Sequence, residues 1–406
     1  MTSITRLTAR STRSSRLVAI VILLAMLSLG LEVSAQGFSS GSDGSFGSIE
    51  VLEGIVVLPL PDDGIFRATT VTVSEGAILT FQRNALNTPV HILATGDITV
   101  AGTIDVNARP GTAKAGGIAG PGGFDGGAPG LLGFPGGWGH GPGGTAAAND
   151  AADVIASAHG TVGNFGSSGV YGSALLMPLA GGSGAGGAPG IGGGAGGGAI
   201  LLSSDSRIVV SGAILARGSL GSGVGNFGFQ LGSGGSIRLV APRVEGAGTL
   251  DVLGGHAYIG TRRGGAGRIR IDTTIRDGIE FAGLDSISVS GYTIPQPTSI
   301  GAFMKVFLDV EPRLDLTEVA GQEIPEGTTD AVAISLPFGA NPNQPVKLRA
   351  RGLDGDVPIA IVLIPESGER VVRDAVITLP AGKSAELTVN VDFPINTRTH
   401  VYVWTR

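Results

Sequence analysis

One phrase of apolar alternation recurs along this chain, and it limits the fold more than any other feature. His91-Ile92-Leu93-Ala94 runs through Gly96-Asp97-Ile98-Thr99-Val100 to Gly102-Thr103-Ile104-Asp105-Val106. Ala199-Ile200-Leu201-Leu202 runs through Arg207-Ile208-Val209-Val210 to Gly212-Ala213-Ile214-Leu215-Ala216. Ser236-Ile237-Arg238-Leu239-Val240 leads to Gly248-Thr249-Leu250-Asp251-Val252, and a looser copy spans Arg268-Ile269-Arg270-Ile271 to Ile287-Ser288-Val289-Ser290. The copies start 108, 37 and 32 residues apart, so the period is regular only late in the chain. Each copy holds two or three short strands with period-two alternation, joined at Gly corners. One such unit cannot bury its own apolar face, whereas stacked units share a continuous core. The expectation is an all-β chain whose residues 49–292 form a Gly-rich parallel β-solenoid, with Ile, Leu and Val inward and Thr, Ser, Asp and Arg outward.

Residues 111–198 interrupt the repeat with a low-complexity insertion of 33 Gly in 88 residues and four formal charges, Lys114, Asp125, Asp150 and Asp153. Such a segment has little to bury and loses much entropy if ordered. Two outcomes stand: flexible extrusion, or close-packed extended glycine helices, because Gly alone lets backbones approach closely. Ala146 to Ala158 reads as a short helix with Thr145 as its cap. After Tyr292 the composition returns to normal. Strands are expected at Phe303–Val310, Ala331–Ser335, Val346–Arg349, Ile359–Ile364, Ala375–Leu379, Ala385–Val391 and His400–Trp404, a spacing that suits an Ig-like β-sandwich over 303–406.

The first 35 residues read as a removable signal peptide for general secretion. Arg6, Arg10, Arg13 and Arg16 precede the apolar run Leu17–Leu31, and Val33-Ser34-Ala35 offers small residues for cleavage before Gln36. The run is short for a bilayer span, so no membrane span is expected after processing. A Gly/Ser linker follows over 36–48. Four arginines and one glutamate leave with the signal, taking the net charge from −6 to −9. An acidic chain without a basic stripe is a poor partner for nucleic acid. Cys is absent, so packing and hydrogen bonds hold the fold.

The run Gly96-Asp97-Ile98-Thr99-Val100-Ala101-Gly102-Thr103-Ile104-Asp105-Val106, the run Gly196 to Leu202, and Gly234-Gly235-Ser236-Ile237-Arg238-Leu239-Val240 carry a resemblance. Over roughly Ile49 to Gly291 the chain resembles the Gly-rich, β-helical, adhesin-like secreted and surface proteins of bacteria. That resemblance implies a parallel β-helix at the cell surface or in the medium, and it is specific to an architecture, not to an activity. The residues after Phe303 are too few for a membrane barrel of the usual autotransporter size, so plain secretion and periplasmic residence both stay open.

Chemistry-bearing patterns are sparse. Gly223-Val224-Gly225-Asn226-Phe227-Gly228 has the letters of a dinucleotide fingerprint without the βαβ context. Gly382-Lys383-Ser384 lacks the earlier Gly of a phosphate loop, since Ile377 stands there. Gly122 to Gly127 is one broken copy of a calcium nonapeptide, and such sites need tandem copies. His91, His140, His159, His256 and His400 show no metal-ligand spacing. No catalytic, cofactor or metal residues are therefore assigned. Asp105 and Asp251 fall at matching repeat positions, where paired carboxylates would suit glycoside chemistry, but an outward residue beside a corner recurs for the same reason. Arg262, Arg263, Arg268 and Arg270 form the main basic cluster, suited to an anionic polysaccharide. The expected function is a non-enzymatic structural or adhesive one, with extracellular polysaccharide or another envelope protein as partner. A polysaccharide lyase or hydrolase on a β-helix and a periplasmic scaffold are the alternatives.

Overall fold

The computed structural model describes residues 37–406 except 132–133, 167, 224–226, 258–261, 290, 309–311, 326–327, 329–331, 367 and 381. The signal expected over 1–35 and the centre of the Gly223–Gly228 run lie outside the described residues. Among the described residues every regular element is a strand, and none is an α-helix.

The repeated phrases stack as three parallel walls. In the first, Ile65–Val73, Val90–Ala94, Ala199–Ser204, Ser236–Val240, Arg268–Asp272 and Thr298–Gly301 lie side by side. The second joins Gly47–Val51, the far half of Ile65–Val73, Ile98–Val100, Arg207–Val210 and Arg243–Glu245. The third joins Ile55–Pro59, Ile78–Gln82, Thr103–Asp105, Ala213–Leu215 and Thr249–Asp251.

Register sets like upon like. The inward columns are Phe66-Ile92-Leu202-Leu239-Ile271, Val71-Ile98-Ile208-Val244 and Leu79-Ile104-Ile214-Leu250. All belong to one buried core. Each side chain contributes about 1.5–3 kcal/mol relative to exposure. A one-residue slip would turn a whole column outward, so the alternation specifies the register. The edge strand Ile55–Pro59 leaves Ile55 and Val57 exposed. Prolines at 59 and 61 and the exposed acids Glu53, Asp62 and Asp63 bracket it, which discourages edge-to-edge pairing.

The chain leaves the stack after Val106 and returns at Ala199, yet Leu201 sits in register beside His91. The long first interval is thus an excursion from one corner, not a break in stacking. Two shorter excursions, 217–235 and 253–267, leave from the same corner. Together the three excursions form a bundle of extended segments held by backbone hydrogen bonds with a three-residue period. The amides of Gly193, Gly196 and Ala199 donate to the carbonyls of Gly127, Phe124 and Pro121, while those of Gly194 and Gly197 donate to Gln230 and Ser233. Phe124, Gly127 and Gly130 in turn donate to Gly182, Ala185 and Ala188. Three residues per turn is the repeat of an extended polyproline-II-type helix, which has no internal hydrogen bonds and must find partners in neighbours. Close approach demands Gly: a Cβ at Gly196 would lie 1.9 Å from the Gly182 carbonyl oxygen, and one at Gly193 2.0 Å from that of Ala185. Of the two outcomes open to the insertion, close packing is the one adopted.

The short helix expected at 146–158 does not form. This stretch holds turns and the two-residue strand Ile155–Ala156, and the Thr145 hydroxyl accepts from the Gly186 amide instead of capping a helix. Bonds to the bundle outcompete a local helix rich in Ala. The serines of the leader lie against the stack, where Ser40 and Ser42 donate to the carbonyls of Ala94 and Ala68.

Beyond the stack, two antiparallel sheets bury a shared core. One has the order Gln322–Glu323, Arg313–Val319, Asn343–Arg351, Ala385–Asp392, and the other Val371–Leu379, Gly355–Pro365, Thr399–Thr405. Val346, Leu348, Ile359, Ile361, Leu363 and Ile377 fill the space between them. The strands expected at 303–310 and 331–335 are not formed at the described positions 303–308 and 332–335, and Arg313–Val319 takes an edge place instead. The reason for the first is tertiary: 303–307 crosses the outer side of the first wall as a strap. Arg238 donates to the Lys305 and Val306 carbonyls there, and the Phe307 ring meets His91 at 5.5 Å.

Candidate functional site

The sequence cluster of arginines is divided among separate tasks. Arg270 donates to Asp272 at 2.9 Å and is largely buried, and fully buried Arg238 reaches the same carboxylate at 3.2 Å. Burial holds the Arg238 guanidinium below its ordinary range, opposed by Asp272. Asp272 also accepts the Phe303 amide, so this pair of arginines pins the strap. Removing one member of such a buried network leaves an uncompensated charge, which is the costly case. Arg268 donates to the Tyr171 carbonyl, Arg262 lies 4.2 Å over the Phe229 ring, and Arg263 is half-buried beside the bridge to His256.

Asp105 and Asp251 occupy the same column, each level with Leu215 of the intervening strand. Two strand spacings separate them, about 9–10 Å. Each carboxylate closes its own corner, Asp105 accepting the Asn107 amide at 2.8 Å and Asp251 the Leu253 amide at 2.9 Å. Asp251, expected to point outward, is buried and takes Arg217 Nε at 2.6 Å. Their recurrence follows from the corner they build.

The outer side of the second wall carries a ladder that the sequence reading did not single out. Asp97 Oδ2 accepts Arg207 Nε at 2.7 Å, and Ser206 donates to its other oxygen at 2.6 Å. Arg207 then reaches Glu245 at 3.9 Å, and Arg243 donates to Glu245 at 2.7 Å. Its signal is readable only once the repeats are aligned at Arg207 and Arg243, which pair in register.

A cleft of about 650 Å³ follows the seam between the glycine bundle and the Thr399–Thr405 strand, lined by Asp125, Trp138, His140, Glu366, Arg398 and His400 among others. Strand alternation puts His400, Tyr402 and Trp404 on one side of that strand. Trp138 of the bundle joins Tyr402 and Trp404 in covering Ala360, Val362 and Ile364, so the central strand is buried on both faces. His140 Nδ1 shares a hydrogen bond with the Tyr402 hydroxyl at 3.0 Å, and the His140 and His400 rings meet edge-on at 5.0 Å. Burial and the neighbouring His400 push His140 down to about 4, and burial and Arg398 lower His400. Burial, then Asp125, raises Tyr402. Asp125, the lone acid of the calcium-like run, is committed to Arg83 at 2.9 Å and the Ala119 amide at 2.7 Å. Chain spacing hides the pairing of His140 with His400, which are 260 residues apart. Among the described residues no group of three or more His, Cys, Asp or Glu is placed to hold a metal ion, and no helix is long and apolar enough to cross a membrane.

No family model matches this chain, and neither the curated proteins nor the solved structures contain one similar to it.

Proposed function

We propose that the chain is an exported, non-catalytic structural or adhesive protein of the Gly-rich, adhesin-like kind. Residues 1–35 direct secretion, 49–292 act as a β-solenoid and 303–406 as an Ig-like β-sandwich. The observation that carries this reading is the in-register stacking of equivalent positions, which turns separate phrases of sequence into continuous walls. The charged ladder Asp97-Arg207-Glu245-Arg243 then links three adjacent strands of one wall, about 4.8 Å apart. A repetitive surface of this kind suits extended contact with an extracellular polysaccharide or an envelope protein, in matrix, envelope or attachment. Glycan-array binding of the chain from Gln36 onward, run beside fractionation of the producing cells, tests it. Binding of a polysaccharide that weakens with salt is the expected result. Turnover of any polysaccharide in the same assay, or retention in the cytoplasm, defeats the reading.

A further inference from the structure

The seam between the glycine bundle and the C-terminal sheets is bridged by two facing imidazoles, His140 half-buried within it and His400 at its exposed edge. We propose that His140 and His400 form an acid-sensitive latch, holding the C-terminal sheets on the bundle at neutral pH and releasing them as pH falls towards 5. This is independent of what the molecule adheres to.

The geometry carries the argument. The two rings are 5.0 Å apart, so a charge on one opposes a charge on the other. From the bundle side the facing groups are Asp125, already paired with Arg83, and Lys114. From the sheet side they are Tyr402, Arg398, which lies 3.8 Å from Glu366, and Arg370, which sits 4.8 Å over the Trp138 ring. The two carboxylates near the pair, Asp125 and Glu366, already face arginines, Arg83 and Arg398. An imidazolium on half-buried His140 would face the His400 ring and a carboxylate already held by Arg83, while one in an opened seam is fully solvated.

The sign follows from linkage. His140 binds its proton at about 4 when closed, against an ordinary value of 6.5. The closed state holds fewer protons, so closure is fully favoured above 6.5 and weakens progressively between 6.5 and 4. At pH 5 His140 alone would shift the closed-to-open ratio about thirty-fold towards open. His91 and His159, also lowered to about 4 by burial, lie in the stack and within the bundle beside Gly234 and affect overall unfolding instead.

The molecule supplies its own reporter, because its two tryptophans, Trp138 and Trp404, both lie at this seam. On titrating the full chain from pH 7.5 to 4.5, tryptophan emission should shift to the red with a midpoint between 4 and 6.5 while far-UV circular dichroism holds. The double variant His140→Gln/His400→Gln should remove that shift. An emission maximum that stays put in the wild type overturns the proposal. So does a shift of equal size in the double variant, or one that coincides with loss of far-UV signal. Should the variant not fold, imidazole proton resonances of the wild type decide: a His140 ring titrating near 6.5 refutes the latch, and a depressed one supports it.

Discussion

The parallel stack and the glycine bundle come from the same repeat corners, yet they cohere by opposite means. In the stack, Ile, Leu and Val project inward from three walls and fill one core, while the strands' backbone bonds run between successive rungs. In the bundle, segments touch through their backbones, with amides at three-residue intervals donating to carbonyls of a neighbouring segment. Apolar burial drives the first, and backbone hydrogen bonding with close backbone contact sustains the second. Side-chain volume is the asset in one region and the obstacle in the other.

Four substitutions sharpen that contrast. Ile214→Ala, which empties a fully buried place in the stack, should cost about 2–5 kcal/mol in chemical denaturation. Adding a methyl should do in the bundle what removing side-chain carbons does in the stack. Gly196→Ala forces a Cβ against the Gly182 carbonyl and should destabilise by about 1–3 kcal/mol, and a neutral result would mean that the bundle is loosely packed. Arg207→Ala removes rungs from an exposed ladder, so it should cost less than about 1 kcal/mol and matter more to salt-sensitive ligand binding than to melting temperature. Gly169→Ala, in open space within the same insertion, should change stability by less than about 0.5 kcal/mol and serves as the control for Gly196.

Parts of this were legible beforehand. Alternation at Ile98/Ile208 and Ile104/Ile214 predicts which side chains face inward, because side-chain direction has a period of two whatever surrounds the strand. The late strands of the C-terminal region were readable for the same reason, at Ile359–Ile364 and His400–Trp404 within the observed bounds. The helix expected at 146–158 failed because Ala-rich propensity is weak against bonds to neighbouring segments. The strand expected from Phe303 failed because Arg238 and Asp272 claim that segment as a strap, and their burial cannot be inferred from outward-facing positions in an alternating run.

The local pattern alone determined the strands of the stack, their inward columns and the corners where chain could be inserted, since these depend on neighbours one or two residues away. Tertiary structure decided that the glycines pack, that the arginines divide their tasks, and that His140 meets His400 across the seam. The physical reason is range. A glycine carries no side chain to announce its partners, and a charge or an imidazole takes its character from groups that are distant in the chain and close in space.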